Sequence, residues 1–192
     1  MHLQTHGLTG WLIGNAAGLG VRGRSLAVLA GVLPDLDGLG IVVSEELYWD
    51  WHHVLGHNVF YLLAAAGVLT VFTDAGTRCR SFVVFTLVGA SHLLLDLIGS
   101  GPDWELAWLW PASDHALVWR GAWPLFSWQN ILTFVAVLVG TLAVARWCGR
   151  TPLEWVMPSL DRRFVRWIRG SRGGGSAVQP GHATEPPPAD ET

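Results

Sequence analysis

From Phe82 to Gly99 the chain is apolar, and the only ionisable side chains in that run are His92 and Asp96. Residues four apart share one face of a helix, so these two project together, one turn apart. Burying an imidazole and a carboxylate in such a run is costly unless they pair with something or hold a metal. Any fold for this chain must therefore bring partners to that point.

The surrounding sequence suits a membrane. It is 51% hydrophobic before its 23 glycines are counted, and only 14% charged. Soluble proteins reach about 45–50% apolar with glycine included. Further apolar runs cover 58–73 and 131–146, with shorter stretches at Leu8–Leu19 and Leu26–Leu33. They approach the roughly 20 residues of a spanning helix. Pro34-Asp35-Leu36-Asp37-Gly38 reads as a turn. The stretch 38–51, with Glu45, Glu46 and Asp50 beside Tyr48, Trp49 and Trp51, reads as interfacial. A loop over 100–129 carries six tryptophans. The expected fold is all-α: a polytopic membrane helical bundle with four to five membrane-embedded helices and a Trp-rich extracytoplasmic loop. Residues 1–150 form the membrane-embedded domain, 151–169 a basic amphipathic surface helix, and 170–192 a disordered Gly-, Ser- and Pro-rich tail. A soluble helical bundle is the alternative, disfavoured by six tryptophans in one loop beside such runs.

Charge fixes the orientation. Arg78 and Arg80 lie in one connector, and Arg146, Arg150 and the later arginines follow the last run; the tryptophan loop has Arg120 alone, with Asp103, Glu105 and Asp114. The positive-inside rule makes the arginine side, and with it the C-terminus, cytoplasmic. Cys79 and Cys148 then face the reducing side as free thiols. No signal peptide precedes the apolar runs, so insertion uses segments that remain in the chain. A net charge of −3 excludes a nucleic-acid binder of the electrostatic kind.

The same orientation gathers polar residues from four segments near the extracytoplasmic side. The candidate metal ligands are His6, Asp35, Asp37, His52, His53, His57, His92 and Asp96. A mixed His/Asp set suits Zn²⁺, with Mn²⁺ or Fe²⁺ as alternatives, and its size allows one ion or two. His57 has two possible partners: His53 by helical spacing and His52 by motif. There is no G-x-S-x-G elbow, and Gly14 to Gly23 lacks the Lys and Ser/Thr of a P-loop.

Five motifs in order carry a resemblance: Thr5-His6-x-x-x-Gly10, Leu33-Pro34-Asp35-x-Asp37, His52…His57-Asn58, Ser91-His92-x-x-x-Asp96 and Trp110-Pro111. Over about residues 1–112 the chain resembles the bacterial inner-membrane metal-dependent hydrolases, the YdjM-type proteins. Their third motif usually reads His-Arg-Gly-x-Thr-His-Ser; this chain keeps the outer histidines and loses the Arg, Thr and Ser. The family's hydrolase label rests on a distant likeness to zinc-dependent phospholipase C. The resemblance implies a multi-pass protein of the bacterial inner membrane that cleaves a phosphoester or ester in a lipid or lipid-linked substrate. Metal-activated water would do the chemistry, with Asp35 or Asp37 as general base when not bound to metal. The other reading is a non-catalytic metal-binding scaffold or an ion-pathway protein, although no internal repeat of a transporter is present.

Overall fold

Glycines set how closely the first two helices approach. Gly7, Gly10 and Gly14 lie on the face of α1 (Leu3–Ala16) that meets α2 (Val21–Val32). A Cβ at Gly10 would run into the carbonyl oxygen of Ala27, and one at Gly31 into the carbonyl oxygen of His6. Small residues at such spacing let membrane helices pack backbone to backbone. In a computed structural model, which describes residues 1–170, this pair forms the spine of the bundle.

Beyond α2 the chain does not turn at Pro34. It tightens into a 3-10 helix over Leu33–Val42. Pro34 sits where α2 passes into that segment, and its missing N–H removes one helical hydrogen bond at the junction. Then follow α3 (Glu45–Trp51), α4 (Val59–Val71), α5 (Arg78–Gly99), α6 (Trp128–Cys148) and α7 (Pro158–Arg169). Among the described residues there are seven α-helices and no strand, only a single bridge between Leu106 and Leu117. α5 packs against α1, α2 and α4 around a core that includes Leu26, Ala27, Ala66, Phe85 and Val88.

Three helical stretches are long and apolar enough to cross a membrane: Val21–Val42, Ala75–Gly99 and Trp128–Cys148. The sequence predicts four to five membrane-embedded helices; α1 with 14 residues and α4 with 13 are shorter than the roughly 20 a full span needs. α6 leaves most of its surface unburied, as a lipid-facing helix does.

The tryptophan loop is folded down rather than displayed. Trp123 Nε1 donates to Asn130 Oδ1 at 2.6 Å, and Asn130 Nδ2 donates to the Gly99 carbonyl at 2.7 Å. These bonds tie the end of the loop to the end of α5. Trp104 packs inward, whereas Trp119 and Trp128 are exposed. α7 begins at Pro158 and ends at Gly170, whose φ of 68° is left-handed. The basic segment expected over 151–169 is thus a helix only from Pro158. The segment read as a disordered tail lies outside the described residues from 171 onward.

Candidate metal centre

Every expected ligand comes to one end of the bundle. His6 is in the first turn of α1, and Asp35 and Asp37 are on the 3-10 segment. His52, His53 and His57 lie in the irregular connection between α3 and α4. His92 and Asp96 occupy the last turns of α5.

Four atoms form the centre: Nε2 of His57, Nε2 of His92, Oδ2 of Asp96 and Oδ1 of Asp35. His92 Nε2 lies 2.9 Å from Asp96 Oδ2 and 3.6 Å from Asp35 Oδ1. For His57 Nε2 the same two separations are 3.2 and 3.7 Å. The two Nε2 atoms are 3.1 Å apart. Ligands about 2.0–2.1 Å from a tetrahedral ion lie about 3.3 Å from one another, and these five separations scatter around that value.

The protons on the two imidazoles are inferred from their other nitrogens. His92 Nδ1 lies 2.7 Å from the Gly31 carbonyl, which can only accept, so the ring donates there. His57 Nδ1 donates in the same way to Asp37 Oδ2 at 2.9 Å. In the neutral rings both Nε2 lone pairs therefore face each other and two carboxylate oxygens. Four acceptors then meet without a donor, an arrangement that a metal cation or a proton on His57 satisfies. Asp35 Oδ2, Asp96 Oδ2 and His6 Nδ1 are also buried without a hydrogen-bond partner among the described residues. Burial opposes a charge on His57, yet the carboxylates of Asp35, Asp37 and Asp96 outweigh it and hold its pKa well above the ordinary imidazole value. The pocket draws positive charge.

His6 completes the inner group. Its Nε2 is 3.2 Å from Asp96 Oδ1, and its ring stacks on His92 with centroids 3.8 Å apart. Asp96 Oδ1 also accepts from Ser100 Oγ at 3.1 Å and pairs with the Met1 ammonium. His6, Asp35, His92 and Asp96 each offer one atom within 4.8 Å of the others. A second such group joins His53, His57 and Asp96, and a third joins Asp37, His52 and His57. The groups share Asp96 and His57, and mixed imidazole and carboxylate donors are of the kind that suits a divalent ion.

Asp37 stands behind this centre. Its Oδ2 accepts from His57 Nδ1 and from the Gly56 N–H at 3.0 Å, and its Oδ1 meets His52 Nδ1 at 2.8 Å. The 3-10 geometry explains the division: with three residues per turn, residues two apart point about 120° from each other. Asp35 therefore faces the α5 histidine while Asp37 faces the connection.

That connection is not helical, so four-residue spacing does not relate His53 to His57. Both possible partners nonetheless reach His57, by different routes. His53, at a left-handed φ of 68°, stacks on His57 with centroids 4.4 Å apart. His52 shares Asp37 with His57 and meets it edge-on at 5.4 Å. Burial, then the neighbouring His57, pushes His53 down to a pKa of about 2, so it stays neutral.

Several residues support the site without offering it a ligand. Asn58 caps α4 by accepting from the Tyr61 N–H at 2.8 Å, and donates to the carbonyls of Val54 and Leu55 at 2.9 Å each. It closes the turn that presents His57, standing where the family pattern has serine. A side chain at Gly56 would collide with the Pro34 carbonyl. Trp104 lies 4.4 Å from His53 and stacks on Trp49, roofing the site. A cavity of about 50 Å³ under this roof is lined by Asp35, Tyr48, His52, His53, Asp96 and Trp104 among others.

Fold and site together define a class: an all-α protein with membrane-spanning helices and a buried histidine–carboxylate cluster at one end of its bundle. The match to a family model, that of the YdjM inner membrane protein, runs over residues 1–168 and shows that the chain belongs to that family. That description names a location and no reaction. No curated protein and no solved structure matches the chain.

Proposed function

We propose that this chain is a membrane-embedded metal-dependent hydrolase acting on a phosphoester or ester of a lipid or lipid-linked substrate. The convergence of two imidazole Nε2 atoms and two carboxylate oxygens on one buried point carries the reading. Asp35, His57, His92 and Asp96 would hold a divalent ion, with His6 as a further ligand beside Asp96 Oδ1. Zinc suits the set best, manganese or iron(II) being the alternatives. When bound, such an ion brings the pKa of a coordinated water to about 7 and polarises the substrate oxygen.

The chain's own residues do the rest. Asp37 fixes the His57 ring with Nε2 inward, and the Gly31 carbonyl does so for His92. Where Asp35 stays off the ion, leaving His6, His57, His92 and Asp96 to hold it, its buried and unpartnered Oδ2 would act as the general base that takes the proton of the attacking water. The sequence offers Asp37 for the same part, but both its oxygens are committed to histidines and Gly56. His53 and Trp104 exclude bulk water from above.

Arg22, Arg78, Arg80, Arg146 and Arg150 border the opposite end of the bundle. The positive-inside rule then places that end, and the C-terminus, in the cytoplasm and the metal centre near the extracytoplasmic side. At that depth the natural substrate is a lipid head group or a lipid-linked phosphate.

One observation favours a second reading, a non-catalytic metal-binding scaffold or ion-pathway protein: the cavity over the site holds a few waters but not a head group. Metal analysis of the detergent-purified chain, with Asp96→Ala and His57→Ala beside it, separates the two. Loss of metal together with lipase or phosphodiesterase activity supports the enzyme. Bound metal with no turnover on a lipid panel supports the scaffold. A wild-type chain that binds no metal overturns both.

A further inference from the structure

At the arginine end of the bundle, far from the histidines, a recess of about 150 Å³ opens between the start of α2 and the start of α5. One of its walls is Gly18-Leu19-Gly20-Val21-Arg22-Gly23, a G-x-G-x-x-G sequence that opens a helix. It follows α1 rather than a strand, so it is no dinucleotide fingerprint. The physics of such a turn still applies. Gly20 is the N-cap and offers no capping side chain, which leaves the first-turn N–H groups of α2 facing outward at the positive end of the helix dipole.

The side chains around the recess point the same way. Arg22 makes no ion pair or hydrogen bond among the described residues. Arg80 gives one guanidinium nitrogen to the Ala17 carbonyl and keeps its other N–H groups. Ser81 is 1% exposed and lines the recess, yet its hydroxyl has no hydrogen-bond partner among the described residues. Thr73 and Thr77 spend their hydroxyl protons on the carbonyls of Thr70 and Asp74. Asp74 is the one carboxylate in the lining, against two arginines and a helix N-terminus. A hydroxyl with no hydrogen-bond partner among the described residues, two guanidinium groups and free backbone N–H groups line one recess, and what would satisfy them together is a compact acceptor with several oxygens.

We propose that this recess binds a phosphate group, held by Arg22, Arg80, Ser81 and the first-turn N–H groups of α2. The phosphate can belong to an anionic lipid head group or be free in solution, and the two sources are separable. The full-length chain, in a phosphate-free maltoside detergent, is titrated calorimetrically with inorganic phosphate. The same chain in phosphatidylcholine nanodiscs, with and without phosphatidylglycerol, is examined by native mass spectrometry. The proposal predicts one saturable site per chain for at least one of the two. Its affinity falls about tenfold in Arg22→Gln, as loss of a charge-assisted bond implies. Ser81→Ala weakens it severalfold, and Arg120→Gln, in the tryptophan loop, leaves it unchanged. Binding of inorganic phosphate identifies a free ligand; retention of phosphatidylglycerol alone identifies a head group. Arg22 is exposed and unpaired, so its variant is expected to keep the wild-type melting temperature. If neither ligand binds, or Arg22→Gln binds as tightly as wild type, the proposal fails.

Discussion

At the scale of single residues, the account turns on which nitrogens and oxygens face inward. Asp37 touches no centre atom except through His57, so its substitution tests orientation rather than ligation. Asp37→Asn should leave the chain folded while weakening zinc affinity about 10–100-fold, the usual effect of losing such a partner; competition with a chromophoric chelator measures it. His53 gives a pH prediction. Folding lowers its pKa from 6.5 to about 2. The stability that its neutral form contributes is complete above pH 6.5 and is lost as the pH falls below that value. Asparagine tolerates the left-handed backbone of this position and does not titrate. In the metal-free protein, the melting temperature of His53→Asn should therefore fall less between about pH 7 and 5 than that of wild type; parallel curves would contradict the assignment. The His92/Asp96 pair was legible in the sequence because both lie on one long helix, where spacing fixes direction. The division of labour between Asp35 and Asp37 was not. It depends on a 3-10 period that Pro34 and two glycines disguise as a turn.

At the scale of helices, the closest contact is α1 against α2. Gly10→Ala puts a methyl group into the Ala27 carbonyl, and should cost about 1–3 kcal/mol by overpacking. Gly67, on α4, has nothing within reach of an added Cβ. Gly67→Ala should be neutral or slightly stabilising, by up to about 1 kcal/mol through helix propensity. Thermal unfolding of both variants in one detergent tests the pair. A Gly10 variant as stable as the Gly67 variant would mean that the two helices do not meet this closely. The apolar runs announced α4, α5 and α6 to within a few residues. They announced α1 and α2 only in part, as the short stretches Leu8–Leu19 and Leu26–Leu33, and gave no sign of how closely the two helices pack. What holds them is the absence of side chains, which no count of hydrophobic residues detects. Asn58 entered only as the end of the third motif, and its capping role and the tight fit of Gly56 escaped for a similar reason, since their work is on the backbone of the His52–His57 connection.

At the scale of the whole molecule, the arginines and the candidate ligands lie at opposite ends of one bundle. A reporter fused after residue 170 should read as cytoplasmic, because Arg146, Arg150 and the arginines of α7 follow the last span. An extracytoplasmic readout would invert the bundle and move the metal centre to the inner face. The gathering of His6, Asp35, His57, His92 and Asp96 at one depth was expected from charge asymmetry alone, and the geometry brings them within 4 Å of one another in pairs. The folded tryptophan roof was beyond the sequence, since nothing in a loop's composition says whether it lies open or closes over a site. The most direct test of the centre is X-ray absorption on the full-length chain loaded with zinc and dialysed. The account predicts a retained ion with nitrogen and oxygen neighbours and imidazole scattering, altered in His92→Ala. A wild-type protein that releases its zinc, or a His92→Ala protein with the same spectrum, would contradict it.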